Sequence, residues 1–471
     1  MASFVNEHPV ALKKPPEPAR RTEVLNARRE LKMAQSAHAY VRGSTDRFYQ
    51  WVAEQPETRI PVGPPIWICG DCHVGNLGPI GHHDGATVVE LRDLDQTVVG
   101  NPAHDLLRLA LSLAMACRSS DLPGATTARI TEDLIAGYER SFDGESTDET
   151  IDELPSPIRP VMKSAVRRTT KQLFRDRMGA SSRRIPHGRR FWPLAAEERA
   201  GTAALLKTEP VRQLVTMLAA RADTARVEFL DAAFWAKGCS SLGLWRVAML
   251  VEIVEDRKRG GQRRTRSLLD LKQAVAARSL WVGGEAPGLA HGERVVRGAQ
   301  ALAPALGARM TNAELLGRSV FIRELLPQDL KVELDHISVD DGRDVAFYLG
   351  KVLGRAHGRQ LDAATRGRWH GELMKHRSKA LHAPSWLWHA LVDLVSVHEH
   401  AYLQHCHRYA LAADRAGVTP EIAEALVIAH DSPSMQSAPE AADAPAPEHV
   451  PAPEHAPVPT AEDAPPIEAT A

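Results

Sequence analysis

The chain has 471 residues, 44% hydrophobic and 25% charged, which is enough to bury a large core and rules out a disordered or fibrous protein. A formal net charge of −1 gives the whole molecule no bias toward polyanions, so any basic patch must be local. Five cysteines, an odd number, argue against a disulfide scaffold, and with no spanning apolar run and no N-terminal apolar h-region a cytoplasmic protein without a membrane partner is expected.

Residues 1–25 are polar and proline-bearing and are expected to form a flexible arm. The segment 22–53 reads as helix with a break at Gly43, and Tyr40 and Arg42 fall just before that break. IWICG at 66–70 is short, apolar and closed by glycine, like a buried strand, and ATVVELRDLD at 86–95 reads as a second strand. From Pro102 to Arg118, Leu106, Leu109, Ala110 and Leu113 recur at helical spacing, with Asp105 in the first turn. Residues 154–192 are markedly basic, and 195–230 read as helix. From 234, FWAKGCSSLGLWRVAMLVEIVED reads as strand, glycine turn, strand. RSLLDLKQA (266–274) is a strand ending near Lys272, 291–303 a helix, SVFIRELL (319–326) a strand, and 342–360 and 384–412 are helices. Residues 432–471 are dominated by Ala, Pro, Glu and Asp, with PAPEH at 445–449 and again at 451–455, and are expected to be a disordered tail.

The chemistry concentrates between residues 67 and 112. Asp71, His73 and Asn76 share the loop GDCHVGN, Asp93 and Asp95 end an apolar run, and Asp105 opens a helix. Carboxylates on strand ends beside an Asn suit Mg²⁺ on a polyphosphate, because hard cations prefer oxygen ligands. Asp71 and Asn76 are five residues apart, as are a hydroxyl-orienting Asp and a metal-ligating Asn in phosphotransferases. A hairpin from Asn76 would return the chain to Asp93 for a second metal contact. Read locally, the same residues are Asp- and Asn-containing turns. In the second half, the turn GCSSLG (Gly238, Ser240, Ser241, Gly243) lies between two strands and would let backbone N–H groups approach phosphates, although Ser240 stands where a middle glycine is expected. A plain β-hairpin fits that turn as well. Lys272 follows on a strand, where a nucleotide-orienting lysine belongs, and Glu293, in the next helix, is its expected partner, with Glu314 and Glu324 as alternatives.

GDxHxxN, then D-x-D, then P-x-x-D-L resembles the core of aminoglycoside- and choline-kinase-like phosphotransferases, a branch of the protein-kinase-like fold. More closely, YVRGS, ICGDCHVGNLG, LRDLDQ, HDLLRLALS, GCSSLGLWR, LDLKQA, ERVVRGAQ and GRAHGR in this order resemble the bacterial family DUF2252 over most of 30–410. The resemblance implies an α+β, two-lobed kinase-like fold that binds ATP and Mg²⁺. It makes Asp71 the catalytic-loop acid, with His73 beside it, Asn76 and Asp93 metal ligands with Asp95 as a further acidic group, and Asp105 and Arg108 braces of the loop. Cys69 stands where the broader phosphotransferases carry His or Arg. The catalytic loop precedes the glycine turn and Lys272, and the helix around 348–360, which resembles the one that normally leads into that loop, lies near the C-terminus, so the order is circularly permuted. The resulting division is an arm (1–25), a helical catalytic-loop region with a basic insertion (26–230), a nucleotide region (231–335), a helical completion (336–431) and the tail (432–471).

The function expected is Mg²⁺- and ATP-dependent phosphoryl transfer to a hydroxyl of a small molecule or protein. Arg42 is a candidate for phosphate or substrate, or else braces a nearby carboxylate. Alternatives are a kinase-like module that binds nucleotide or metabolite without turnover, and nucleotidyl transfer. Zinc on Cys69, Cys72 and His73 is disfavoured, since only the adjacent His82 and His83 could complete it. Nucleic acid is not the expected partner: the 154–192 segment includes Phe174, Phe191 and Trp192 but no nucleic-acid module, and reads first as a solvated face.

Overall fold

The computed structural model of the chain describes residues 15–415 apart from 57, 121, 123, 143–148, 180–182, 217–220, 222–224, 239–240, 258–260, 283–287, 333–337, 376 and 378–381. Three helices, α1 (Arg21–Ala34), α2 (Ala37–Gly43) and α3 (Thr45–Ala53), come first. Ser36 accepts the Ala39 N–H at 3.0 Å and caps α2, so the expected 22–53 helix is interrupted before Ala37 as well as at Gly43. Regular structure also begins earlier than the expected arm allows. Arg21 is buried and pairs with Glu198 at 2.8 Å, which fixes the start of α1.

Four short strands follow: β1 (Ile66–Ile68), β2 (Leu77–Gly81), β3 (Thr87–Leu91) and β4 (Val98–Gly100). β1 pairs with β4 and β2 with β3, both antiparallel. The strand expected over 86–95 ends at Leu91, because the next N–H, of Arg92, turns to the carbonyl of Asn76 at 2.8 Å. Asp93 and Asp95 therefore lie in the β3–β4 connection. Helix α4 (Pro102–Ser119) starts where Asn101 accepts the Ala103 N–H at 3.0 Å and Pro102 fills the first turn. Every residue from Pro102 to Cys117 is buried, so α4 runs through the middle of the largest core.

Next come α5 (Gly124–Arg140), α6 (Arg159–Arg167), α7 (Thr170–Met178), β5 (Phe191–Trp192), α8 (Ala196–Leu205) and α9 (Glu209–Thr216). The basic segment thus forms two short helices, with Lys163 on Asp152 and Arg168 on Asp176. The helix expected over 195–230 stops at Thr216, and the RVEFLDAAFW run is strand instead, since its N–H and C=O groups pair with the next strand. The remaining elements are β6 (Arg226–Trp235), β7 (Arg246–Asp256), β8 (Gln262–Gln273), α10 (His291–Leu302), α11 (Pro304–Gly307), β9 (Met310–Leu315), β10 (Arg318–Glu324), α12 (Val339–Gly358), α13 (Ala363–Met374) and α14 (Ser385–Arg415).

Strands β5 to β10 form one antiparallel sheet in the order β5-β6-β7-β8-β10-β9, which with the helices makes an α+β fold. One face is apolar, with Val247, Met249, Leu269, Leu271 and Ile322 packed on Leu205, Val211 and Leu214 of α8 and α9. The other face is apolar at Leu250 and Leu268 but becomes charged toward one end, at Arg246, Asp270, Lys272 and Arg323. Helices α5 and α12 pack backbone to backbone: a Cβ on Gly137 would stand 1.9 Å from Phe347 O, and one on Gly350 2.1 Å from Leu134 O. Among the described residues no helix is long and apolar enough to cross a membrane.

Candidate active site

The loop after β1 is held from below by α4. Asp105 accepts the Cys69 N–H at 2.6 Å and the Gly70 N–H at 2.9 Å, the bracing role expected for it. Gly70 has φ +77° and a Cβ there would stand 2.1 Å from Gln96 O, so only glycine fits where the two loops cross. Behind Asp105, His357 Nε2 lies 3.2 Å from its Oδ2, His357 Nδ1 lies 2.9 Å from the Tyr138 hydroxyl, and the Trp369 indole donates to that hydroxyl at 3.1 Å. Asp71 itself is buried, and its Oδ1 accepts from Arg108 Nε at 2.9 Å. Arg108 also donates to Val41 O at 2.6 Å, tying Asp71 to the end of α2. Burial raises the Asp71 carboxyl above its ordinary value, against the pull of Arg108. That rise suits a group that takes or orients a hydroxyl proton.

Asn76 laces this loop to the next. Its Nδ2 donates to Asp71 O at 2.8 Å and to Asp93 O at 3.3 Å, and the β2–β3 hairpin runs from Asn76 back to Asp93 as expected. With Nδ2 so engaged, Oδ1 has no hydrogen-bond partner among the described residues. Half of the Asp93 side chain meets solvent, and its Oδ1 lies 3.4 Å from Lys272 Nζ. Asp95 Oδ2 also contacts Lys272, while Asp95 Oδ1 is buried with no partner. Two carboxylates share one ammonium, so the pair titrates as a unit. Burial and then the Asp93 charge push Asp95 up, whereas for Asp93 the cost of burial is outweighed by Lys272, Arg323 and Arg246, and its carboxyl sits well below the usual range.

Lys272 stands opposite Arg246 on β7 and Phe321 on β10, on the charged end of the sheet. Arg246 holds Asp270 through Nε at 2.8 Å, and Arg323 reaches the same carboxylate at 3.2 Å. These groups, with Arg92 and Asp93, line a small cleft. The GCSSLG turn joins β6 to β7 at this same end of the sheet, since Gln273 donates its N–H to Trp245 O at 2.9 Å. Gly238 and Gly243 take φ +123° and +103°, Lys32 of α1 donates to Gly238 O at 3.0 Å, and Ser241 Oγ lies beside Gly238. Ser240 lies outside the described residues.

One expected contact is not made. Glu293 pairs with Arg297 one turn along α10, and Lys272 goes to the two aspartates. Glu324 is taken by Arg221 and Ser267, and Glu314 is exposed. The next residue, Arg294, ties α10 to the β3–β4 connection: it donates to Asp95 O at 2.8 Å, to Val275 O at 2.9 Å and to Thr97 O. Arg294, His357, Arg246, Asp270 and Arg323 received no role from sequence, although all but Arg323 lie in runs that carry the family resemblance.

Arg42 braces no carboxylate. Its guanidinium has no hydrogen-bond or ion-pair partner among the described residues, and its Nε is buried. His73 is 6% exposed with a buried, unpartnered Nδ1, and burial, then Arg42, Arg108 and His38, hold the imidazole well below its ordinary value, so it is neutral at pH 7. Among the described residues, no group of three or more His, Cys, Asp or Glu side chains is arranged to hold a metal. His82 and His83 lie at the far end of the β2–β3 hairpin, about 20 Å from Asn76 at strand rise. Burial also raises the Cys72 thiol well above its ordinary value, which works against a zinc thiolate.

The sequence model of a family described as "Uncharacterized protein conserved in bacteria (DUF2252)" matches residues 21–408. No curated protein matches, and no solved structure matches.

Proposed function

We propose, from the premise that the chain belongs to the DUF2252 family, that it transfers a phosphoryl group from ATP to a hydroxyl, with Mg²⁺ as cofactor. The observation that carries the reading is the lacing of the Asp71 and Asp93 loops by Asn76 Nδ2, opposite Lys272. It leaves one set of oxygens facing one ammonium. Asn76 Oδ1, Asp93 and the unpartnered Asp95 Oδ1 fit a hard cation that takes its remaining ligands from phosphates and water. When bound there, Mg²⁺ would neutralise charge on the β- and γ-phosphates. Lys272, released from the aspartates, would hold a phosphate oxygen. Arg246 and Arg323 share the Asp270 carboxylate, which offsets one of their two charges, and serve to fix the sheet face behind it. Asp71, oriented by Arg108, would position the acceptor hydroxyl. Such a site acts by positioning and charge neutralisation, because a loose transition state needs little else.

A two-lobed, permuted kinase-like order accords with a second set of contacts. Gln360, two residues past α12, accepts the Trp67 N–H at 2.9 Å and donates to Trp67 O at 3.0 Å. Trp67 lies in the strand that leads to Asp71, so the end of α12 abuts the start of the candidate loop although 293 residues separate them. A helix feeding that loop, with the covalent link cut, leaves this arrangement.

Calorimetric titration of ATP, with and without Mg²⁺, into wild type and Asp93→Ala tests the reading. The expected result is Mg²⁺-dependent binding that the variant loses. Absence of binding at millimolar ATP would sink the mechanism. A second reading, a binding module without turnover, draws on the same lysine: with Asp93 and Asp95 on Lys272, this charge is balanced without a ligand. ATP consumption that disappears in Asp71→Asn, with ATP binding retained, would reject the module.

A further inference from the structure

The end of α2 lies against the Asp71 loop through Arg108; an acceptor there presupposes the phosphotransfer reading, whereas an ion site does not. The arginines around the candidate site are nearly all engaged. Arg108 holds Asp71 and Val41 O, Arg246 and Arg323 hold Asp270, and Arg294 holds backbone carbonyls. Arg42 is different. It is the residue after Val41, so Arg108 links it to Asp71 through a single side chain, yet its own fork is unused among the described residues.

Arg42 Nε, His73 Nδ1 and, on the same helix as Arg42, His38 Nδ1 are buried without hydrogen-bond partners. Gly75 lies against two of these side chains, where only a residue without a Cβ leaves them room. A Cβ built on Gly75 would stand 3.3 Å from Arg42 Nη2, 3.2 Å from His73 Cε1 and 3.3 Å from His73 Nδ1. A buried polar nitrogen without a partner costs stability unless something fills its place. The surrounding charge defines what that is. Asp71 is matched by Arg108, whereas the Arg42 guanidinium has no carboxylate partner among the described residues. The charge left for a ligand beside Asp71 is therefore positive.

We propose that Arg42 and His73 bind the anionic group, phosphate or carboxylate, of a hydroxyl-bearing small-molecule acceptor whose hydroxyl is presented to Asp71. The guanidinium fork matches either oxyanion in planar, two-point fashion. His73 donates through a ring N–H. The Lys272 cleft, on the sheet side, remains for the nucleotide.

The test needs neither nucleotide nor Mg²⁺. Protein labelled with ¹³C-histidine is titrated with inorganic phosphate and separately with acetate, following the His73 Cε1–H resonance, which His73→Gln assigns. A saturable shift is expected in wild type. In Arg42→Gln the dissociation constant should rise at least about tenfold, the usual consequence of losing charge-assisted hydrogen bonds. In Lys272→Met it should stay within about twofold of wild type, since the two sites share no side chain. Thermal melts show that each variant is folded, and phosphate should raise the melting temperature of wild type but not of Arg42→Gln. The stronger of the two anions identifies the acceptor as phosphorylated or carboxylated. No saturable shift, an unchanged titration in Arg42→Gln, or a loss confined to Lys272→Met would overturn the proposal. If phosphate binds as expected while ATP binding shows no dependence on Mg²⁺ or Asp93, the anion site stands and the phosphotransfer reading falls.

Discussion

His357 Nε2 lies 3.2 Å from Asp105 Oδ2, and neither side chain meets solvent. The direction of every proton in this contact follows from its neighbours. Asp105 already accepts two backbone N–H groups, and its Oδ2 accepts from Nε2 as well. Trp369 Nε1 can only donate, so it gives its proton to the Tyr138 oxygen, and Tyr138 gives its own to His357 Nδ1. One chain of bonds therefore runs from α13 through α5 and α12 to the loop that carries Asp71.

Tyr138→Phe removes one oxygen from that chain and keeps the ring. It strands the Trp369 N–H and the His357 Nδ1 in a buried position. The expected cost in urea unfolding is about 1–3 kcal/mol. A change below about 0.5 kcal/mol would mean that the network adds nothing to stability.

Asp270 should dominate the acid behaviour of the sheet. It is buried between Arg246 and Arg323; burial works against its charge, but the two guanidiniums win and hold its carboxyl well below the usual range. A carboxyl depressed in the folded state contributes stability above its unfolded value, and that stability is lost as pH falls toward the folded value. Wild type should therefore lose stability steadily below about pH 4. Asp270→Asn leaves the buried Arg246 and the partly buried Arg323 without their counter-charge and should cost about 3–5 kcal/mol at pH 7. Its loss of stability between pH 4 and pH 2 should be shallower than that of wild type, measured by urea unfolding at each pH; an equal slope would remove Asp270 from the account.

The candidate site was legible in sequence where its parts are close along the chain. Asp71, Asn76, Asp93 and Asp105 fall within 35 residues, and two turns bring them together without help from the rest of the fold. The partners that come from far away were not legible. Asp270 faces Arg323 only because β8 pairs with β10 in that register, and His357 reaches Asp105 only because α12 packs along α5. Helix α13 escaped notice because AATRGRWHGELM buries only Trp369 and Leu373, too few apolar positions for a periodic pattern. Arg294, next to Glu293, was within reach of the sequence. Arg294 falls four residues before Gly298 and eight before Leu302, both buried, so helical spacing already put it on the inner face.

That one-residue difference makes the sharpest test. Arg294 is buried and ties the carbonyls of Asp95, Thr97 and Val275 to α10. Arg294→Met keeps a stem of similar length but leaves three carbonyls without a charged donor. The β3–β4 connection should then open more often, and amide exchange over residues 93–98 should speed up. Because Asp93 and Asp95 lie in that connection, Mg²⁺-dependent ATP binding should weaken about tenfold or more, as expected when hydrogen bonds to a charged group are lost. Glu293→Gln removes only a half-exposed ion pair with Arg297 at helical i,i+4 spacing, a contact that typically contributes about 0.3–0.5 kcal/mol. It should leave exchange at 93–98 and ATP affinity unchanged. If Glu293→Gln instead weakened ATP binding more than Arg294→Met, the lysine would exchange its aspartates for Glu293 when nucleotide enters, and Arg294 would be no more than a buttress of the core.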